Sequence, residues 1–584
     1  MKKLLIGNAA VARGAYEAGM TVCSSYPGTP STEITESLVE YQEVNVEWAS
    51  NEKVAAEVAI GASMAGARSM SCMKHVGMNV MADPLFTVSY IGVNGGLVFC
   101  VADDPGMHSS QNEQDSRHYA KASKSLMLEP SDSKECRDFT KLAFQLSEEF
   151  DTPVLLRLST RVSHSQGLVE LCDKEDYQLK EYEKNIAKNV MMPGNAIKRH
   201  VIVEQRTLDE IKYSEETSLN VIENNNSKIG VITSGIAYMY AKEALGKNVN
   251  YLKLGMVYPL PIEKIKSFAA SVDKLYVIEE LDPFIEEHVR ALGINCFGKD
   301  AFEACGFKPM LGEYTPQMIK KTVLGLESNP YIQLSEQIPA RPPVMCAGCP
   351  HRGTFYVLKK LGLTVSGDIG CYTLGAVAPL QSVDSTICMG ASVSAAFGMS
   401  KARGNDFTKK LVSVIGDSTF IHSGITGLID IVYNKGINTV IILDNSITGM
   451  TGHQQNPTTG KTIRLEDTIQ VDLIKLAEAV GVKSIVVADP FNVKEFERVV
   501  KTEVSKEEPS VIIAQRPCAL LKGVKYTGHA FITDECKKCK QCMKLGCPAI
   551  SLVEGNILID TTQCNGCGLC INVCPFKAIV KEGE

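Results

Sequence analysis

Two runs of cysteine close the chain, and no other feature limits its folding as tightly. The first is Cys536, Cys539, Cys542 and Cys547-Pro548; the second is Cys564, Cys567, Cys570 and Cys574-Pro575. Each run sets three thiols at a C-x2-C-x2-C spacing and adds a fourth Cys-Pro further on. Such a loop is short enough to wrap three corners of an iron–sulfur cube. In two-cluster proteins of this pattern the fourth cysteine ligates the other cluster. The pattern predicts one 4Fe–4S cluster on Cys536, Cys539, Cys542 and Cys574, and a second on Cys547, Cys564, Cys567 and Cys570. Four residues, Met543 to Gly546, precede Cys547 where three are usual, and the added residue is read as adjusting one cluster's potential or exposure. Zinc rarely takes eight cysteines in a duplicated triple pattern, and disulfides do not suit an intracellular chain. Single electrons pass through this module.

At 584 residues the chain is too long for one core, and three or four domains are expected. A net charge of −7 and the absence of a basic stripe give no reason to expect nucleic acid. The start, Met1-Lys2-Lys3-Leu4-Leu5-Ile6-Gly7, is read as a buried strand rather than a signal peptide, because Gly7-Asn8 interrupts the apolar run. No apolar run approaches bilayer length, so no membrane span is expected. The 20 cysteines suit a cytoplasmic chain in a reducing cell.

Strand-like and helix-like stretches alternate through most of the sequence. Residues 1–172 carry the strands 96–101 and 152–158, with an Ala- and Gly-rich helix predicted over 52–67. A polar linker with some helix follows at 173–228, ending in Asn224-Asn225-Asn226-Ser227. A second block covers 229–337, a third 338–525 behind the rigid segment Ile338-Pro339-Ala340-Arg341-Pro342-Pro343, and the cysteine-rich module 526–584. The alternation implies three doubly wound α/β domains with mainly parallel sheets, plus a small C-terminal α+β domain. Ligands of such sheets bind beyond the carboxyl ends of the strands.

In the third block the apolar run 411–415 leads into Gly416-Asp417-Ser418, and the run 439–443 leads into Asp444-Asn445-Ser446-Ile447. One strand–helix–strand unit brings Asp417 and Asn445 to the same sheet edge. A carboxylate, an amide oxygen and the carbonyl of Ile447 suit an octahedral Mg2+, which in turn holds a diphosphate. Here the chain resembles the thiamine diphosphate enzymes, whose signature is Gly-Asp-Gly followed by a spaced Asn; Ser418 departs from the strict pattern. Thiamine chemistry also needs a glutamate that favours the imino tautomer of the cofactor's aminopyrimidine. Glu52, in Ser50-Asn51-Glu52-Lys53, is a candidate, although its position alone suits a helix N-terminus equally well.

Tyr26-Pro27-Gly28-Thr29-Pro30-Ser31 followed by Asn51-Glu52 resembles the pyrimidine-binding domain of 2-oxoacid:ferredoxin oxidoreductases. The resemblance implies that Thr29 faces the substrate and Glu52 activates thiamine. Cys346-Ala347-Gly348-Cys349-Pro350-His351 opens the third block, Cys371 follows in Gly367-Asp368-Ile369-Gly370-Cys371, and Cys518 comes after the strand 511–514. Alone, the C-x2-C pair suits zinc equally, and the other two suit buried thiols. The family resemblance implies a third 4Fe–4S cluster on Cys346, Cys349, Cys371 and Cys518, with His351, Gly367 and Asp368 near the diphosphate. The remaining cysteines, at 23, 72, 100, 136, 172, 296, 305 and 388, are read as buried small hydrophobes.

The order of the parts, with Gly-Asp-Ser-Thr-Phe-Ile-His-Ser-Gly at 416–424, the segment 103–117 and Cys-Ala-Gly-Cys-Pro-His-Arg, is similar to the large subunits of the indolepyruvate branch of that family. The implied reaction converts an aryl pyruvate and coenzyme A to aryl-acetyl-CoA and CO2 and reduces ferredoxin. A smaller partner subunit in an α2β2 assembly is implied as well. Arg117 is a candidate for the substrate carboxylate, against an ordinary ion pair. The histidines at 75, 108, 422 and 453 are read as hydrogen-bonding residues near the motifs. The rival functions are a pyruvate or other 2-oxoacid oxidoreductase, a non-oxidative thiamine decarboxylase, and an electron-transfer subunit without thiamine chemistry.

Overall fold

A computed structural model describes residues 1–327, 335–339 and 341–582. Ala340, in the segment read as a rigid linker, lies outside the described residues, as do 328–334 and the last two positions. The chain divides into two compact units, Met1–Ser335 and Glu336–Glu584. Among the described residues no helix is long and apolar enough to cross a membrane.

The first unit holds a seven-stranded sheet. Its spatial order is Met256–Tyr258, Met127–Leu128, Val154–Ser159, Leu97–Asp103, Ser69–Lys74, Val22–Ser25 and Asn45–Trp48. Only the first pair is antiparallel. The strands Leu97–Asp103, Val154–Ser159 and Ser69–Lys74 are buried along their whole length, as parallel strands covered on both faces must be. A second sheet runs Lys274–Ile278, Ile229–Ser234, Asn250–Leu254 and Val221–Glu223, parallel except at its last edge. Between them Gly255 acts as a pivot: its amide donates to Leu219 O at 3.1 Å and its carbonyl accepts from Glu129 N at 2.8 Å. The chain thereby leaves one sheet and enters the other, so the block beginning at 229 lends its neighbour an edge strand. The segment 173–228 includes a helix, Pro193–Glu216, fastened to the first sheet's surroundings by buried arginines. Arg199 Nε donates to Tyr90 O at 2.6 Å and Arg206 Nη1 to Ser89 O at 3.0 Å.

Two expectations need correction. Lys2–Ile6 is a strand, but it pairs antiparallel with Gln166–Glu170 in an outlying ribbon, and Leu4 is exposed. An apolar run does not by itself say which sheet takes it. Of the eight cysteines read as core, Cys23, Cys72, Cys100 and Cys136 are buried, while Cys296 and Cys305 are partly covered and Cys172 and Cys388 are exposed. The buried four lie on central strands and on the helix Ser133–Phe150; the others lie in or beside connecting segments.

Arg117 also departs from its expected role. It is 1% exposed, and its guanidinium donates to Asp115 and Glu279, each at 2.5 Å, and to the carbonyls of Glu280 and Asp282. Burial would raise the Asp115 carboxyl, but Arg117 and Arg157 outweigh it and hold that carboxyl well below the usual range. The guanidinium is committed to joining the two α/β blocks, so it does not serve a substrate carboxylate. Removing one partner from such a buried network costs about 3–5 kcal/mol. Arg117→Ala is therefore expected to lower Tm strongly in thermal denaturation while leaving KM of the folded fraction in place. A variant of unchanged Tm but much higher KM would contradict this assignment.

The second unit is built on a five-stranded, wholly parallel sheet ordered Thr364–Ser366, Leu411–Gly416, Thr439–Asp444, Ser510–Gln515 and Ser484–Ala488. The cysteine-rich end adds two antiparallel ribbons, Ala530–Ile532 with Ile579–Lys581 and Ile550–Val553 with Asn556–Ile559, and the short helix Leu569–Val573. Its apolar residues Leu545, Ile550, Leu569 and Ile579 share one core with Phe355, Leu358, Leu380 and Phe491. The α+β end is thus fused to the sheet domain by packing.

Candidate functional site

Parallel pairing places Gly416 opposite Leu443, so Asp417 and Asn445 leave adjacent strands at the same edge. Asp417 is 2% exposed. The Ser418 amide donates to its Oδ1 at 2.7 Å and the Thr458 hydroxyl to its Oδ2 at 3.4 Å. Burial and the neighbouring Asp444 push the Asp417 carboxyl up to about 7, against the pull of these donors and the Ser446 amide. A buried carboxylate beside a second one, with amide and hydroxyl neighbours, is a donor set that fits a hard divalent cation. Ser446 takes a left-handed φ of 60°, held by its amide donating to Asp444 Oδ1 at 3.0 Å, and Asn445 and Ile447 on either side of it are buried.

The other residues expected near this turn divide into two groups. A Cβ on Gly416 would stand 2.7 Å from the Tyr372 ring, so the close approach requires glycine. Tyr372 donates to Ile369 O at 2.8 Å and to the Thr419 hydroxyl at 3.2 Å, and its ring meets His351 edge-on at 5.7 Å. Burial lowers the His351 pKa to about 4, so the ring is neutral at pH 7. Asp368 is committed elsewhere: its carboxylate accepts from the amides of Gly390 and Ser392, each at 2.9 Å, at the start of the helix Ala391–Arg403. Gly367 donates to Ser385 O at 2.8 Å and supports that same corner.

The same loop reaches the third cysteine set. Cys518 N donates to Asn445 O at 2.9 Å, and a Cβ on Gly449 would stand 3.5 Å from Cys371 Sγ and 3.8 Å from the Asn445 amide. Burial pushes the Cys371 thiol up to about 11, with Cys518 and Cys346 adding to it; burial likewise raises Cys349 to about 12, with Cys371 and Cys346 among its neighbours. These four residues therefore converge. The C-terminal cysteines gather as well. Cys547, Cys564, Cys567 and Cys570 line one cavity, which Ala347, Gly348 and Arg352 complete. Cys536, Cys539, Cys542 and Cys574 line another. The structure thus brings together the exchanged sets, with Cys547 and Cys574 each crossing to the other run. Among the described residues no three cysteine sulfurs lie within 4.8 Å of one another.

In the first unit, Asn51 caps the helix Glu52–Met64 through its side chain, which accepts from Val54 N at 2.9 Å. Glu52 itself is 4% exposed, and a Cβ on Gly77 would lie 2.7 Å from its Oε1. Thr29 is half-buried, and its carbonyl accepts from the Ser109 hydroxyl at 3.2 Å. Sequence reasoning missed Lys74. Its side chain packs against Gly28, its Nζ donates to Ser109 O at 2.8 Å, and burial lowers its pKa to about 8 against the attraction of Asp104 and Glu52. The available signal was a lone lysine at the carboxyl end of the buried strand Ser69–Lys74.

Three family models match: the pyruvate flavodoxin/ferredoxin oxidoreductase thiamine diphosphate-binding domain over 13–230, the C-terminal thiamine pyrophosphate-binding domain over 368–514, and a 4Fe–4S binding domain over 557–580. Indolepyruvate oxidoreductase subunit IorA of Archaeoglobus fulgidus is 40% identical over 99% of this chain and 97% of its own. That of Pyrococcus horikoshii is 38% identical over 100% and 98%. The chain belongs to the indolepyruvate oxidoreductase subunit IorA family. It is therefore an oxidoreductase subunit of the 2-oxoacid:ferredoxin class, with thiamine-binding domains and an iron–sulfur domain. An amide in place of the Asp417 carboxylate keeps the volume and removes the buried repulsion with Asp444. Asp417→Asn is expected to melt no lower than the parent without cofactor, and to lose the Tm rise that Mg2+ and thiamine diphosphate give the parent, read by differential scanning fluorimetry.

Proposed function

We propose that this chain is the catalytic subunit for oxidative decarboxylation of aryl pyruvates, of the indolepyruvate and phenylpyruvate type. Coenzyme A takes the acyl group to give aryl-acetyl-CoA and CO2, and ferredoxin takes the two electrons. One observation supports this above others: the segment 445–449 meets the Gly416-Asp417 turn on one side and Cys371 and Cys518 on the other. A group oxidised at that turn lies beside an electron acceptor.

Asp417, Asn445 and the Ile447 carbonyl would hold Mg2+ and through it the diphosphate. Thiamine diphosphate, when bound, supplies an electron sink that lets a 2-oxoacid lose CO2. Glu52 is the carboxyl proposed to favour the imino tautomer of the aminopyrimidine when the cofactor is bound, Thr29 is the residue proposed to face the substrate, and the neutral His351 ring backs Tyr372 at the Gly416 turn. The cysteine spacing favours cubes over single ions. Zinc rarely takes eight cysteines in a duplicated triple pattern, whereas a C-x2-C-x2-C loop with a distant Cys-Pro is the ligand pattern of two-cluster 4Fe–4S modules. Cys542 acts electrostatically on Cys570, and Ala347 and Gly348 line the cavity of the Cys547 set. The electron route therefore runs from the Cys346 set to the Cys547 set, then to the Cys536 set and ferredoxin. A smaller subunit in an α2β2 assembly and a cytoplasmic setting complete the reading.

Anaerobic purification with the small subunit tests it. About twelve iron atoms per chain are expected, four for each of three cubes. Specificity should favour indolepyruvate and phenylpyruvate over pyruvate, with coenzyme A consumed and ferredoxin reduced. Free aldehyde as the product, or a preference for pyruvate, would refute it.

Lys74 takes the place that Arg117 leaves. Beside Thr29, it is the cation proposed for the 2-oxoacid carboxylate. Its ammonium is charged below about 8 and loses the proton above it, so KM should rise as pH climbs through about 8. Lys74→Met should raise KM below that pH by about tenfold or more, as expected for a lost charged hydrogen bond, and should flatten the pH profile. An unchanged profile in the variant would assign the pH effect to another group.

A further inference from the structure

Arg352 ends the Cys-Ala-Gly-Cys-Pro-His-Arg motif, and none of the chemistry above employs it. It lies in the first turn of the helix His351–Leu361 and is 3% exposed. Its Nε donates to Cys346 O at 3.2 Å, Nη1 to Leu545 O at 2.9 Å and Gly546 O at 2.6 Å, and Nη2 to Met345 O. Every one of these partners is a neutral carbonyl, and among the described residues no carboxylate forms an ion pair with it. A buried guanidinium without an anion is strongly unfavourable. Burial lowers its pKa, and the groups opposing that shift are the cysteine side chains of Cys349, Cys547, Cys346 and Cys567. Two of these belong to the set beside the Asn445 loop and two to the set in the C-terminal module, and Arg352 lines the latter's cavity.

We propose that Arg352 is a fixed cation shared by two electron-carrying sites, raising the reduction potentials of both the Cys346 set and the Cys547 set. The inference rests on the three-cluster reading above. Reduction of either site adds one electron and one negative charge, and the guanidinium keeps its proton throughout. Its attraction for that charge is strong at close range in a buried setting. Because the cation stands between the sites, it lowers the energy of an electron on either one. The driving force between them is left nearly unchanged. The cation also offsets repulsion when both are reduced, as a two-electron oxidation delivering single electrons requires. The added residue before Cys547 belongs to this device. Leu545 and Gly546, within the four-residue segment, supply two of the carbonyls, and a Cβ on Gly546 (φ 64°) would stand 3.3 Å from Nη1.

The test is an EPR-monitored redox titration of the anaerobically purified holoenzyme with its small subunit, for the parent, Arg352→Gln and Arg352→Lys. In Arg352→Gln both neighbouring sites should become harder to reduce, with the reduced-to-oxidised ratio at the parent midpoint falling about tenfold, or 59 mV for a one-electron couple. The Cys536 set should move less. Arg352→Lys keeps the charge and loses the planar fork, so its potentials should stay within that interval of the parent. It decides the matter alone if the neutral variant does not assemble: a larger shift in the lysine variant overturns the proposal. Equal shifts in both variants, no shift in either, or a matching shift at the Cys536 set would also overturn it. An iron count and EPR spectrum lacking a cluster on the Cys346 set would overturn the three-cluster reading first. A full complement with unmoved potentials would overturn only the role of Arg352.

Discussion

Parallel pairing of Leu411–Gly416, Thr439–Asp444 and Ser510–Gln515 is the constraint from which the second unit's chemistry follows. Gly416 stands opposite Leu443, and Asp444 opposite Gln515. Three chains therefore leave the sheet side by side, carrying Asp417, Asn445 and Cys518 within three residues of the last paired position. A parallel sheet gathers such exits at one edge because every strand points the same way. The proposed cation ligands and the proposed cluster cysteine meet there without any long-range device beyond the ladder itself. Slipping one strand by a single residue would separate them and turn its buried side chains to the other face.

What was legible in the sequence is what short-range covalent geometry determines. A C-x2-C-x2-C loop brings three sulfurs together by chain connectivity, and the crossed fourth cysteines follow from the duplication. The cavities lined by each set show that crossing. The Gly416-Asp417 turn was legible because a strand's end is marked by the end of its apolar run. Asp368 was harder. A carboxylate in a glycine-rich turn suits a helix start as well as a phosphate site, and only the amides of Gly390 and Ser392 distinguish them.

The rest depended on partners far away in sequence. Met256–Tyr258 is apolar enough for either sheet, and the choice is made at Gly255 by the main chains of Leu219 and Glu129. Lys74 gave little signal because one lysine at a strand end has many ordinary uses. Its character comes from burial beside Gly28 and from Ser109, which are supplied by two other loops. Glu52 and Asn51 show the opposite case. Asn51 supplies the N-cap hydrogen bond, and Glu52 occupies the first turn of the same helix, buried against Gly77.

Two buried arginines make the general point sharpest. Arg117 and Arg352 are similar in burial, and each bonds main-chain carbonyls from a neighbouring module. They differ in what balances their charge. Arg117 faces the carboxylates of Asp115 and Glu279, which neutralise it within the folded chain, so its energy is spent on joining two α/β blocks. Arg352 faces carbonyls and the sulfurs of two cysteine sets, so its charge is directed at whatever negative charge those sulfurs carry. A buried cation serves structure when the polypeptide supplies the counter-charge. It is available for electron chemistry when the counter-charge arrives and leaves with the electrons.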